Sequence, residues 1–95
     1  MKENGGGVIV NLVPLEGRDE KFGGTAYTSS MMGLIGFTQR AASELGVHHV
    51  RVHAVGTGIS HLQRAEIEIP SDFSEAVLYL CNEEQAHLNG QIVNI

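Results

Sequence analysis

Tyr27 opens the stretch of this chain best suited to acid–base chemistry, and Thr28, Ser29, Ser30 and Met31 follow it. A phenol with an ordinary pKa near ~10 is a poor base at neutral pH, and a nearby cation would favour its ionised form. Proton transfer is catalysed best by a group whose pKa lies near the working pH. Met31 carries no charge and donates no hydrogen bond, so it supplies no such help. Without further support a lone tyrosine at the start of a helix reads as a packing aromatic.

The other reactive side chains are scattered. Of five histidines, His48 and His49 are adjacent and point in different directions. His53 falls within a strand, and His61 and His87 fall in loops or helix ends. No histidine pair with a carboxylate partner at helical spacing and no Cys/His cluster is present, so no metal site is expected. Asp19-Glu20 and Glu83-Glu84 read as solvated surface. Cys81 is the only cysteine. It forms no intrachain disulfide, which suits a reducing cytoplasm, the expected location. It follows Val77-Leu78-Tyr79-Leu80, so a buried, inert thiol is expected.

The elements that must position these groups can be read from spacing. Residues 8–13 form a short, β-branched, almost continuous apolar run between Gly5-Gly6-Gly7 and Pro14, the pattern of a buried parallel strand. Residues 14–25, rich in glycine and charge, read as a loop. From 25 to 45 the pattern turns helical, with Leu34, Ile35, Thr38, Ala41, Ala42 and Leu45 on one stripe, and Gly46 stops it. Residues 50–55 alternate and predict a second strand, broken by Gly56-Thr57-Gly58. Residues 59–69 are ambiguous. A second helix is expected over 72–82, with Phe73, Ala76, Val77 and Leu80 at helical spacing. Asn89-Gly90 is a turn, and 91–95 a last short strand.

The order β-α-β-α-β predicts an α/β fold: a partial Rossmann-like, doubly wound unit with a short parallel sheet. Length allows one domain at most, 1–95. Three strands and two helices leave such a sheet thinly covered, and the first strand keeps an open edge. The chain reads as half of a larger doubly wound fold. Its formal charge of -5, from 11 acidic and 6 basic residues, argues against nucleic acid and anionic membranes as partners. No apolar run approaches the ~20 residues of a membrane helix, and Met1-Lys2-Glu3-Asn4 does not begin a signal peptide.

Nearly the whole chain resembles the C-terminal half of short-chain dehydrogenases/reductases. Gly7-Val8-Ile9-Val10-Asn11-Leu12 resembles the family's fifth strand, which typically ends Asn-Ile-Ser-Ser. The stretch from Ala26 to Thr38 is similar to its catalytic helix, usually Tyr-x-x-x-Lys followed by small and apolar residues, and Ala42-Ser43-Glu44-Leu45 matches the end of that helix. Val50-Arg51-Val52-His53-Ala54-Val55 looks like the sixth strand, commonly Ile-Arg-Val-Asn-Ala-Val. Gly90-Gln91-Ile92-Val93 is similar to the seventh.

The resemblance implies a Rossmann-type fold and NAD(P)-dependent hydride transfer between a nucleotide and a carbonyl or alcohol. It implies Tyr27 as catalytic acid/base, Tyr27, Gly58 and Ile59 near the cofactor, and NAD or NADP as that cofactor. The family's lysine falls on Met31. Counting back by the family's usual interval to its serine lands on Pro14, with Val13 before it; Ser29 and Ser30 lie on the wrong side of Tyr27. The family's Pro-Gly is Thr57-Gly58, and its cofactor-contacting threonine falls on Leu62. The phosphate-binding glycine turn belongs to a strand–helix unit this sequence lacks. Gly5-Gly6-Gly7 is no substitute, because it precedes a strand.

Three expectations follow. The chain is a degenerate or truncated member that alone neither binds NAD(P) tightly nor catalyses. Alternatively it is the C-terminal part of an oxidoreductase completed by an N-terminal nucleotide-binding half. Alternatively it is a non-catalytic assembly module, a homo-oligomer built through the 27–45 helix and the last strand. For the small residues Ser30, Gly33 and Gly36 two readings stand: close packing on the chain's own sheet, or approach by a second copy.

Overall fold

A computed structural model describes residues 1–14, 24–57, 69 and 72–95. Three strands, β1 (Gly7–Pro14), β2 (Val50–Thr57) and β3 (Ile92–Asn94), alternate with two helices, α1 (Gly24–Leu45) and α2 (Phe73–Cys81). The sheet is parallel, in the order β1-β2-β3. This is the α/β, partial Rossmann-like unit that the pattern predicts, with β1 at an edge.

Side-chain alternation along the strands divides the core in two. Ile9, Val13, Val50, Val52, Ala54 and Ile92 face α1, where they meet Ile35, Ala41 and Ala42. Val10, Val55 and Val93 face α2, where they meet Ala76 and Leu80. The helices therefore lie on opposite faces. Two successive crossovers that step the same way across a sheet, yet pass on opposite faces, have opposite hands. One of them departs from the right-handed rule.

Three details differ from the sequence pattern. β2 does not break at Gly56 but runs on to Thr57, which pairs with Pro14. The missing Cβ of Gly56 lets the β1 backbone come close, so the glycine preserves the pairing. Nor does β2 bury alternate residues only: Val52, His53, Ala54 and Val55 are all fully buried, as suits the middle strand of a sheet covered on both sides. Cys81 is exposed rather than buried. The inward stripe of α2 passes through Ala76 and Leu80, and Cys81, the helix's last residue, has turned off it.

Polar side chains tie the layers together. Asn11 Nδ2 donates to Thr38 Oγ1 (3.0 Å), which donates to the Leu34 carbonyl (2.8 Å). Arg51 reaches from β2 to the end of α2 and donates to the carbonyls of Leu80 (3.0 Å) and Gln85 (2.8 Å). It thereby satisfies carbonyls that a helix terminus leaves open. Asn89 accepts from Val52 N and donates to the Ala42 carbonyl, both at 2.9 Å. It joins α1, β2 and the approach to β3.

Candidate active site at the start of the long helix

In open α/β sheets ligands bind beyond the carboxyl ends of the strands. Here β1 and β2 end at Pro14 and Thr57, and the first turns of α1 begin on the same side, since Met31 packs against the cluster that holds Val13. Tyr27 is half-buried in the first turn of α1. The fold thus brings Tyr27, Met31, Pro14 and Thr57 to one end of the sheet.

Position 31 is occupied by packing. The Met31 side chain is half-buried against Val13, Ile35, Ala54 and Ile92. It extends the apolar layer between α1 and the sheet up to the edge of the site, where a thioether brings neither charge nor donor. Val13 is fully buried in the same layer. Ser30 turns back along its own helix and donates to the Ala26 carbonyl (2.9 Å), so its hydroxyl is committed to the helix. Ser29 is exposed. Neither replaces the missing serine. Thr57 Oγ1, at the position where the resemblance sets a proline, is buried with no hydrogen-bond partner among the described residues. Gly58, Ile59, Leu62 and His61 lie outside the described residues.

This donor set does not fit a nicotinamide nucleotide held as the family holds it. Among the described residues, the position where a cation would meet the ribose carries Met31. The glycines at the other end serve the backbone. Gly5 and Gly6 have φ of 87° and 135°, and Gly7 N donates to the His49 carbonyl (3.2 Å). A side chain on Gly6 would run into that same carbonyl. A cavity of about 600 Å³ opens there, against Gly5, Gly6, Gly7, His49, Arg51 and Cys81. It lies at the amino ends of the strands and holds none of the expected site residues.

The described histidines stand in different settings. His48, His49 and His87 are exposed, and His53 is buried on the α2 side of β2. Among the described residues no three of His, Cys, Asp or Glu come together as metal ligands, and no helix is long and apolar enough to cross a membrane. Gly33 and Gly36 are exposed, and a Cβ on either would meet nothing within 4 Å. Packing on the chain's own sheet is therefore not their role. Met32 and Phe37 stand exposed beside them.

Comparison with known proteins agrees with this fold. The model of the family described as short chain dehydrogenase matches residues 1–68. The (3R)-3-hydroxyacyl-CoA dehydrogenase of Canis lupus familiaris is 29% identical over 107 residues, which cover 94% of this chain and 41% of that protein. The crystal structure of acetoin dehydrogenase from Enterobacter cloacae superposes with a TM-score of 0.73 at 27% identity, over 99% of this chain and 43% of that one. A 4-hydroxyisoleucine dehydrogenase complexed with NADH and succinate gives 0.69 at 27% identity, over 93% and 42%. The chain spans less than half the length of the curated relatives it matches.

Proposed function

Because the chain belongs to the short-chain dehydrogenase family, we propose that it forms the C-terminal half of an NAD(P)-dependent oxidoreductase fold. That half presents the tyrosine, and with its present residues it transfers no hydride alone. The family's chemistry moves hydride between a nicotinamide nucleotide and a carbonyl or alcohol. Tyr27 stands where the acid/base belongs. The observation that carries the reading is Met31, half-buried against the core one helical turn from Tyr27. It offers no cation to favour a phenolate and no donor to a ribose hydroxyl. Pro14 likewise has no hydroxyl to give a substrate oxygen. The lone cysteine suits a cytoplasmic setting.

The test is a titration of the 95-residue chain with NADH and NADPH, followed by nucleotide fluorescence, together with a carbonyl-reduction assay. No saturable binding is expected up to about 1 mM, the upper end of common enzyme–substrate affinities. Tight binding accompanied by turnover would overturn the reading.

The free edge of β1 supports a second reading, in which a nucleotide-binding half on another stretch of polypeptide completes the sheet. As the end strand of the sheet, β1 leaves backbone groups on one side unpaired among the described residues, and such an edge invites pairing. In such an assembly Met31→Lys with Pro14→Ser should raise kcat/KM at least about 100-fold, the lower end of what proton-transfer catalysis contributes. Equal activity in the unmodified assembly would show that these two positions do not limit the chemistry. The bare Gly33–Gly36 face of α1 is where a second copy would seat. Light scattering should then report a dimer that Gly33→Leu weakens, and a monomer at high concentration counts against it.

A further inference from the structure

The dipeptide Asn-Gly occurs twice, at Asn4-Gly5 and Asn89-Gly90. It is prone to a spontaneous reaction in water. The glycine nitrogen attacks the asparagine Cγ, a new C–N bond forms, and the Cγ–Nδ2 bond breaks with loss of ammonia. Water then opens the cyclic imide to aspartate or isoaspartate. Glycine permits the attack because no side chain shields its nitrogen. The rate then depends on whether the amide carbon is free to reach that nitrogen.

Both asparagines are exposed, and the fold separates them by what holds the amide and the attacking nitrogen. Asn4 is exposed, and so is Gly5, at φ 87°, with no heavy atom within 4 Å of where a Cβ would stand. At the second site both ends of the amide are fixed: Asn89 Nδ2 donates to the Ala42 carbonyl and Oδ1 accepts from Val52 N, each at 2.9 Å. The attacking nitrogen is engaged as well, since Gly90 N donates to the Val52 carbonyl (3.0 Å). We infer that Asn4 is a deamidation site of the folded chain and that the fold suppresses the same reaction at Asn89.

The consequences differ too. A carboxylate at position 4 adds charge beside Glu3, on an exposed turn. A carboxylate at position 89 has no N–H for the Ala42 carbonyl and sets two oxygens against each other. A molecule that opens locally and reacts there cannot remake the tie between α1, β2 and β3. Asn89 is thus a latch that closes only while it remains an amide.

The test holds the 95-residue chain at mildly alkaline pH, in buffer and in concentrated urea, and locates products by fragment-ion mass spectrometry after digestion. In buffer, Asn89 should convert at least about tenfold more slowly than Asn4, as a group that reacts only in locally opened molecules. In urea the two rates should converge. Comparable rates in buffer, or the same ratio in both solvents, would overturn the inference. As a second measurement, Asn89→Asp should lower Tm by several degrees while Asn4→Asp leaves it nearly unchanged. Equal shifts would remove the latch.

Discussion

Gly56→Ala is expected to leave the chain unable to hold its sheet. Gly56 lies opposite Val13 in the β1–β2 pairing. A Cβ built on it falls inside the van der Waals envelope of the Val13 carbonyl oxygen, with the carbonyl carbon at 2.8 Å and Val13 Cβ at 3.1 Å. The nearest of these are backbone atoms of a neighbouring strand, so no rotamer change relieves the clash. The Gly56 carbonyl also accepts from Ile95 N (2.8 Å), and a shift of β2 here loosens the end of β3 as well. Overpacking that side chains can absorb costs about 1–3 kcal/mol, and a backbone clash belongs at or above the upper end of that range. Small domains hold only about 5–15 kcal/mol in total, and a chain this short bears such a loss poorly. Denaturant unfolding followed by circular dichroism should show the cooperative transition lost or moved to much lower denaturant. Gly36→Ala is the control. Its Cβ meets nothing within 4 Å on an exposed helical face, and alanine should stabilise α1 by up to about 1 kcal/mol. If both variants unfold with the parent, the close approach of β1 and β2 is not as described.

That glycine shows where a sequence stops being legible. Periodicity located both helices, because Ile35, Thr38, Ala41 and Ala42 must all face one sheet. It located the strands, because short β-branched runs suit a covered parallel sheet. Gly56 read as a break, because what it accommodates is a backbone from a strand more than forty residues away. Arg51 and His53 gave β2 the look of an alternating, half-exposed strand. Both in fact turn toward α2, and their partners lie 29 to 38 residues further along the chain. Cys81 missed its burial by one helical position. At the site, the resemblance pointed to Tyr27 and to the residues at 14 and 31, since these are questions of residue type. What fills the site of the missing lysine is a question of packing, and only the fold places Met31 in the apolar layer with Val13 and Ile92.

The imidazole of His53 should make the chain lose stability as the medium turns mildly acidic. His53 is fully buried on the α2 side of β2. Its Nδ1 accepts from Gln91 N (3.2 Å), which places the proton of the neutral ring on Nε2, a buried atom with no partner. Burial, first, and the charge of Arg51, second, hold its pKa down from 6.5 to about 4. Above pH 6.5 the ring is neutral in folded and unfolded chains alike, and its full contribution to stability is present. As pH falls from 6.5 toward 4, the unfolded chain takes up a proton that the folded chain refuses, and stability drains away. Below about 4 both states are charged and the loss, about 3 kcal/mol, is complete. His53→Asn keeps an acceptor for Gln91 N and removes the titration. Urea midpoints measured from pH 7.5 down to 4 should therefore fall more steeply for the parent than for this variant. The two profiles should diverge below about pH 6.5 and run parallel again near 4. Parallel profiles throughout would mean that the ring already reaches solvent, and the buried environment on the α2 side of β2 would have to be redrawn.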